Sequence, residues 1–205
     1  MPKRTTAASL AVAVAALTLA ACGGSSTTTP PPTLSSASAI AAYLDGKTMT
    51  MTGADIPTSP NGFSQDVNFG ASTQCYKSVA IAVAAGTWHV TSQLGTLNGA
   101  PTVGSTGTCD RTTASGSPLL FSSTTVLLEN VAGNATCFDV TVTYTGFSQE
   151  GRAAFSADGK TLRMELYFGG QATGHRCANG AVGAATVTLN GAAFTGNAVQ
   201  TYRLP

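Results

Sequence analysis

The sequence predicts an all-β protein: an antiparallel β-sandwich or β-barrel of about nine strands, with one short N-terminal helix and two disulfides. Three observations carry that expectation. Six Asn-Gly or Asp-Gly pairs punctuate the chain: Asp45-Gly46, Asn61-Gly62, Asn98-Gly99, Asp158-Gly159, Asn179-Gly180 and Asn190-Gly191. Such pairs tolerate the positive φ angles of tight hairpin turns. Between them run segments that alternate apolar with polar residues, the period of a half-buried strand. Four cysteines, Cys75, Cys109, Cys137 and Cys177, are spread along the same stretch, and an even number in an exported domain reads as two disulfides.

The first 21 residues have the marks of an export signal. Lys3 and Arg4 precede an uncharged run from Ala7 to Ala21 that is rich in Ala, Val and Leu. That run is short of the roughly 20 residues a spanning helix needs. Its end, Leu19-Ala20-Ala21-Cys22, resembles the lipobox of bacterial lipoproteins. The resemblance implies that the Cys22 sulfur accepts a diacylglycerol and that cleavage makes Cys22 the first mature residue. An ordinary signal peptide with an incidental Cys22 is the alternative. The implied partner is a membrane, reached through the lipid alone. In a Gram-negative envelope, Gly23 rather than Asp after the cysteine implies the outer membrane. Residues 22–38 are dominated by Ser, Thr, Gly and Pro, a composition that cannot bury enough apolar surface to fold. They are expected to form a disordered tether, stiffened at Pro30-Pro31-Pro32. Residues 39–205 then form a single β-rich domain.

Within that domain the elements are expected in this order. Ser36–Leu44, "SASAIAAYL", is the one helical stretch, placed across an end of the sheet. Candidate strands are Lys47–Thr52, Ser78–Ala84, the run around Trp88 and Val90, and Leu119–Leu128. Cys137–Thr145, Thr161–Phe168, Ala185–Leu189 and Val199–Leu204 follow. In Thr161–Phe168, Leu162, Met164, Leu166 and Phe168 share the inner face, leaving Arg163, Glu165 and Tyr167 outward. In Cys137–Thr145, Phe138, Val140, Val142 and Tyr144 point inward. No helical crossover separates these strands, so the pairing should be antiparallel. The helix leading into "YLDGKTMTMT" (Tyr43–Thr52) is similar to the entry to lipocalin-like barrels.

For the disulfides, the expected pairing is Cys75 with Cys109 and Cys137 with Cys177. "CYKSV" and "CFDVTV" each place a cysteine at a strand start, and "TGTC" and "TGHRC" each place one in a Thr/Gly-rich loop. The alternative joins Cys75 to Cys137. Two echoes, "GFSQD" (Gly62–Asp66) with "GFSQE" (Gly146–Glu150) and "DGKT" at 45–48 and 158–161, fall out of register and are read as shared turn chemistry.

Functional signals are sparse. The chain carries 10 basic and 9 acidic residues, so no large basic face is available for nucleic acid. No nucleophile elbow, zinc helix, phosphate loop or calcium loop is present. No metal, no cofactor and no catalytic residue is assigned. His89 and His175 are the two histidines, both read as solvated surface groups. Asp45 and Asp158 belong to turns and Glu165 to an outward strand position. Asp66 and Glu150 could form an acid/base pair only if the two halves stack. The inward aromatics Trp88, Phe138, Tyr144 and Phe168 read as core, leaving Tyr167 outward. The expected function is a lipid-anchored envelope lipoprotein with a structural or interaction β domain, taking an envelope protein as partner. The alternatives are a lipocalin-like carrier of a small apolar ligand and a carboxylate-dependent hydrolase.

Overall fold

A computed structural model describes residues 30–52, 75–98, 108–194 and 198–205. Cys22 and its leader, residues 23–29 of the expected tether, Asn61-Gly62, the first echo and Asp66 lie outside the described residues. Helix α1 (Ala37–Leu44) precedes β1 (Thr48–Thr52), β2 (Tyr76–Ala84), β3 (Thr87–Asn98), β4 (Thr108–Ala114) and β5 (Leu119–Ala132). Then come β6 (Cys137–Tyr144), β7 (Phe147–Phe155), β8 (Thr161–Phe168), β9 (Ala172–Thr173), β10 (Thr188–Leu189), β11 (Ala192–Ala193) and β12 (Val199–Arg203).

Eight of these strands close an antiparallel barrel in the order β1-β2-β3-β5-β6-β7-β8-β12, and β12 returns to β1 with Thr50 opposite Arg203. Every strand pairs with its neighbour in that meander, and β4 adds to the edge beyond β3. The sequence left sandwich and barrel open; closure decides for the barrel, which removes the edges a sandwich must protect.

One end of the barrel is plugged. Ser36 caps α1 through its Oγ, which accepts from the Ala39 N–H at 3.1 Å. Ile40 and Leu44 are buried, beside Phe138, Phe155, Leu162 and Leu204 in the same core. Burial of each such side chain contributes about 1.5–3 kcal/mol. Tyr43 packs edge-on against Phe155 at 5.8 Å and donates its hydroxyl to the Gly159 carbonyl at 3.2 Å. Packing begins before the helix. Leu34 is buried and donates its N–H to Asn134, whose Nδ2 donates back to the Pro32 carbonyl at 3.0 Å. The C-terminal end of the stretch read as tether thus lies against the barrel.

The turns differ from expectation. Of the six Asn/Asp-Gly pairs, Asp158-Gly159 joins β7 to β8 and Asn190-Gly191 joins β10 to β11, the latter with φ of 48° and 83°. Asp45-Gly46 instead ends α1, and the Asp45 carboxylate accepts the Ala85 N–H at 2.8 Å. Asn179-Gly180 ends a 3-10 turn at Cys177–Asn179. The β2–β3 hairpin turns on Ala85-Gly86, with φ of 49° and 78°. Both disulfides pair as expected, Cys75–Cys109 and Cys137–Cys177. Cys109, however, lies within β4 rather than in a loop.

Residues 169–194 form a flap between β8 and β12. Its three short strands, β9, β10 and β11, make a separate sheet. The expected strand Ala185–Leu189 shrinks to Thr188–Leu189 within it. The flap lies on the outer face of β6, β7 and β8, where the Cys137–Cys177 bridge and a set of charged side chains hold it.

Candidate functional site

At the end of the barrel opposite α1 the described residues line a cavity of about 260 Å³. Its position follows from strand alternation. Phe147 and Gln149 on β7, Tyr144 on β6, and Leu166 and Phe168 on β8 occupy the inward phase of their strands at this end. Leu119 and Phe121 on β5, Val90, Ser92 and Leu94 on β3 and Tyr76 on the adjacent β2 continue the wall, and Gln200 of β12 completes the lining. A contiguous inner recess of about 60 Å³ reaches Val79, Ile81, Trp88 and Tyr202 and keeps Ser92, Gln149 and Gln200 in its wall.

The outer half is aromatic. Phe147 stacks on Tyr144 with ring centres 4.7 Å apart, and Phe121 meets both edge-on at 5.8 and 6.0 Å. Phe168 meets Phe147 at 6.0 Å. These stacked and edge-on arrangements give the outer half an aromatic wall. The inner half is polar without being charged. Tyr202 donates its hydroxyl to Gln200 Oε1 at 2.7 Å. Burial pushes the phenols of Tyr76 and Tyr144 up to about 12, and that of Tyr202 well above its ordinary value. Tyr76 also disfavours ionisation of Tyr144, and both disfavour that of Tyr202. They therefore act as neutral hydroxyls at any physiological pH. Among the described residues no Asp, Glu, Lys, Arg or His lines either space.

A second groove of about 290 Å³ lies beside α1, walled by Ala37, Ala41 and Leu44 with Val83, Trp88, Val126 and Leu128. The Ser38 hydroxyl and the Trp88 indole N–H are its polar side-chain groups, fewer than the mouth offers among the described residues. The mouth is the better candidate.

Of the polar residues named from sequence, Glu150, Glu165 and His175 serve the flap, together with Arg152 and Asp139. Arg152 of β7 has 0% side-chain exposure. Its Nε donates to Glu165 Oε1, Nη1 to the Gly180 carbonyl at 2.7 Å, and Nη2 to the Ala184 carbonyl at 3.1 Å. Glu165, expected outward, is outward but buried; it also accepts the Gly183 N–H at 2.8 Å. Asp139 accepts from the Cys177 N–H at 2.8 Å and from Asn130 at 2.7 Å. Glu150 accepts from Arg176 at 2.7 Å and from the Gly170 N–H at 2.9 Å. The proposed partner Asp66 is outside the described residues, and Glu150 is committed to the flap.

Two surface assignments are corrected. His175 is 7% exposed, with Glu150 Oε2 at 3.7 Å from Nε2, because the flap folds it against the barrel wall. Burial lowers its pKa, Glu150 and Asp139 pull the other way, and Arg176 adds to the lowering. Tyr167, read as an exposed outward aromatic, is 2% exposed beneath the flap, packed edge-on against Phe194 at 5.7 Å. His89 is exposed as expected, its Nδ1 2.9 Å from Ser122 Oγ. Among the described residues no group of three or more potential ligands could hold a metal.

Phe147, Gln149 and Gln200 were not singled out as site residues by sequence. Phe147 and Gln149 do fall in the echoed "GFSQE" segment, and Gln200 shares the inward phase of β12 with Tyr202. Glutamine in the inward phase of a strand is the signal that could have marked a polar cavity. Comparison of the chain with protein-family models, with curated proteins and with solved structures found no match.

Proposed function

We propose that this chain is a lipid-anchored carrier of the cell envelope that holds one small, largely apolar molecule in the end of its barrel opposite α1. One observation carries the reading: a closed eight-stranded barrel plugged by α1 at one end, whose described residues line an aromatic-walled cavity at the other. A packed barrel of this size would fill its interior with side chains; one that keeps a cavity has room for a ligand. Binding without turnover is favoured because, among the described residues, the titratable groups facing the cavity are tyrosines held neutral. The anchoring rests on Leu19-Ala20-Ala21-Cys22. It would place the carrier on a leaflet of the envelope, the outer membrane in a Gram-negative organism.

Native mass spectrometry of protein purified from its own membranes tests this. The expected result is an added mass that organic extraction removes and that returns on mixing with the extract. A clean mass that no extract alters would contradict the carrier reading. It would favour an interaction module, the reading supported by the outward side chains Leu120 (73% exposed) and Leu127 (48%) on β5.

A further inference from the structure

We infer, on the basis of the carrier reading, that the ligand is an uncharged planar molecule of about two fused rings that enters with one hydrogen-bonding group leading. The geometry assigns each part of that description. Size comes first: a cavity of about 150 Å³ suffices for benzene, so 260 Å³ at the mouth suits roughly a bicyclic ring system.

Shape follows from the rim. Phe121, Tyr144, Phe147 and Phe168 present ring faces and edges around the outer half. Ring-on-ring contact adds about 0.5–1.5 kcal/mol beyond the area buried, so a flat aromatic should be favoured over an alkyl chain of equal surface. Orientation follows from the inner half. Ser92, Gln149 and Gln200 line both the mouth and the inner recess, whereas Phe121, Phe147 and Phe168 line the mouth alone. A hydroxyl, carbonyl or amide on the leading edge would meet them, and an entirely apolar guest would leave their hydrogen-bonding capacity unused. The same lining disfavours charge. Among the described residues no side chain of either sign lines the cavity to offset burial of a carboxylate or ammonium, which is far costlier than burial of a neutral polar group.

The test is isothermal titration calorimetry of the delipidated full chain at neutral pH with four probes: naphthalene, 2-naphthol, 2-naphthoate and 1-decanol. The expected order places 2-naphthol first, naphthalene and decanol each about 10-fold weaker, and naphthoate at least about 100-fold weaker. Gln149→Leu should bring the naphthol-to-naphthalene ratio toward one. Gln200→Leu should do the same, with an added loss of the Tyr202 hydrogen bond. Thermal melts confirm that each variant is folded. Naphthoate binding as tightly as naphthol, decanol binding more tightly, or a naphthol preference that survives both glutamine variants would overturn the inference while leaving a carrier in place. Binding of none of the four would overturn the carrier reading and this inference together.

Discussion

Arg152 sits fully buried on the outer wall of the barrel, between β7 and the flap, and its donors meet one carboxylate and the carbonyls of the flap turns. A buried ion pair adds little net stability, but one left without its partner costs about 3–5 kcal/mol. Arg152 and Glu165 therefore fix where the flap sits more than how stable the barrel is. His175 adds a pH dependence to the same junction. Its folded pKa is depressed below the ordinary 6.5 by burial, so the unfolded chain takes up a proton before the folded one does. The contribution of neutral His175 is complete above pH 6.5 and is lost as pH falls from there toward the folded value. The slope reaches at most about 1.4 kcal/mol per pH unit. We predict that His175→Gln reduces the loss of stability between about pH 6.5 and 5, measured by urea unfolding at several pH values. Equal slopes for variant and parent would contradict the assignment.

At the scale of elements, the Cys137–Cys177 bridge ties the start of β6 to the flap across 40 residues, and Cys75–Cys109 ties the entry of β2 to β4 across 34. Closing loops of this length stabilises by about 4 kcal/mol in the chain-entropy model. The double substitution Cys137→Ser, Cys177→Ser should lower unfolding free energy by roughly that amount and make residues 169–194 the first target of a broad-specificity protease. An unchanged cleavage pattern together with an unchanged midpoint would show that the charged contacts alone hold the flap. The strands legible in the sequence were those with clean alternation: β8 matches its expected range, and β6 differs by one residue. β7 was missed. "FSQEGRAAF" offers no sustained apolar alternation, since Gln149 faces the cavity and Gly151 and Ala153 stand where larger apolar residues would mark an inner face. Gly151 is required there, because a Cβ would collide with the Glu165 carbonyl oxygen of β8. The local pattern was thus altered by two things a single strand cannot report: a close neighbour and a polar cavity.

At the scale of the whole molecule, closure of the barrel depends on β12 meeting β1, a pairing between opposite ends of the chain held at Thr50 and Arg203. No periodicity within either five-residue strand encodes that meeting, so sandwich and barrel remained equivalent from sequence. The inward aromatics behaved in two ways for the same reason. Trp88 and Phe138 are core, whereas Tyr144 and Phe168, in the same phase of equally regular strands, line the mouth because they lie at the end opposite α1. The plug itself was legible in "SASAIAAYL", and with it one end of the site.

Ligand is expected in the cavity at the end of the barrel opposite α1, and not in the groove beside α1. Methyl-resolved NMR of the full chain titrated with 2-naphthol distinguishes the two. Saturable shifts are expected at Val90, Leu94, Leu119 and Leu166, which line the mouth, with Leu44, Val83 and Leu128 beside α1 unmoved. Shifts confined to Leu44, Val83 and Leu128, or no saturable shift at any of the seven, would contradict it.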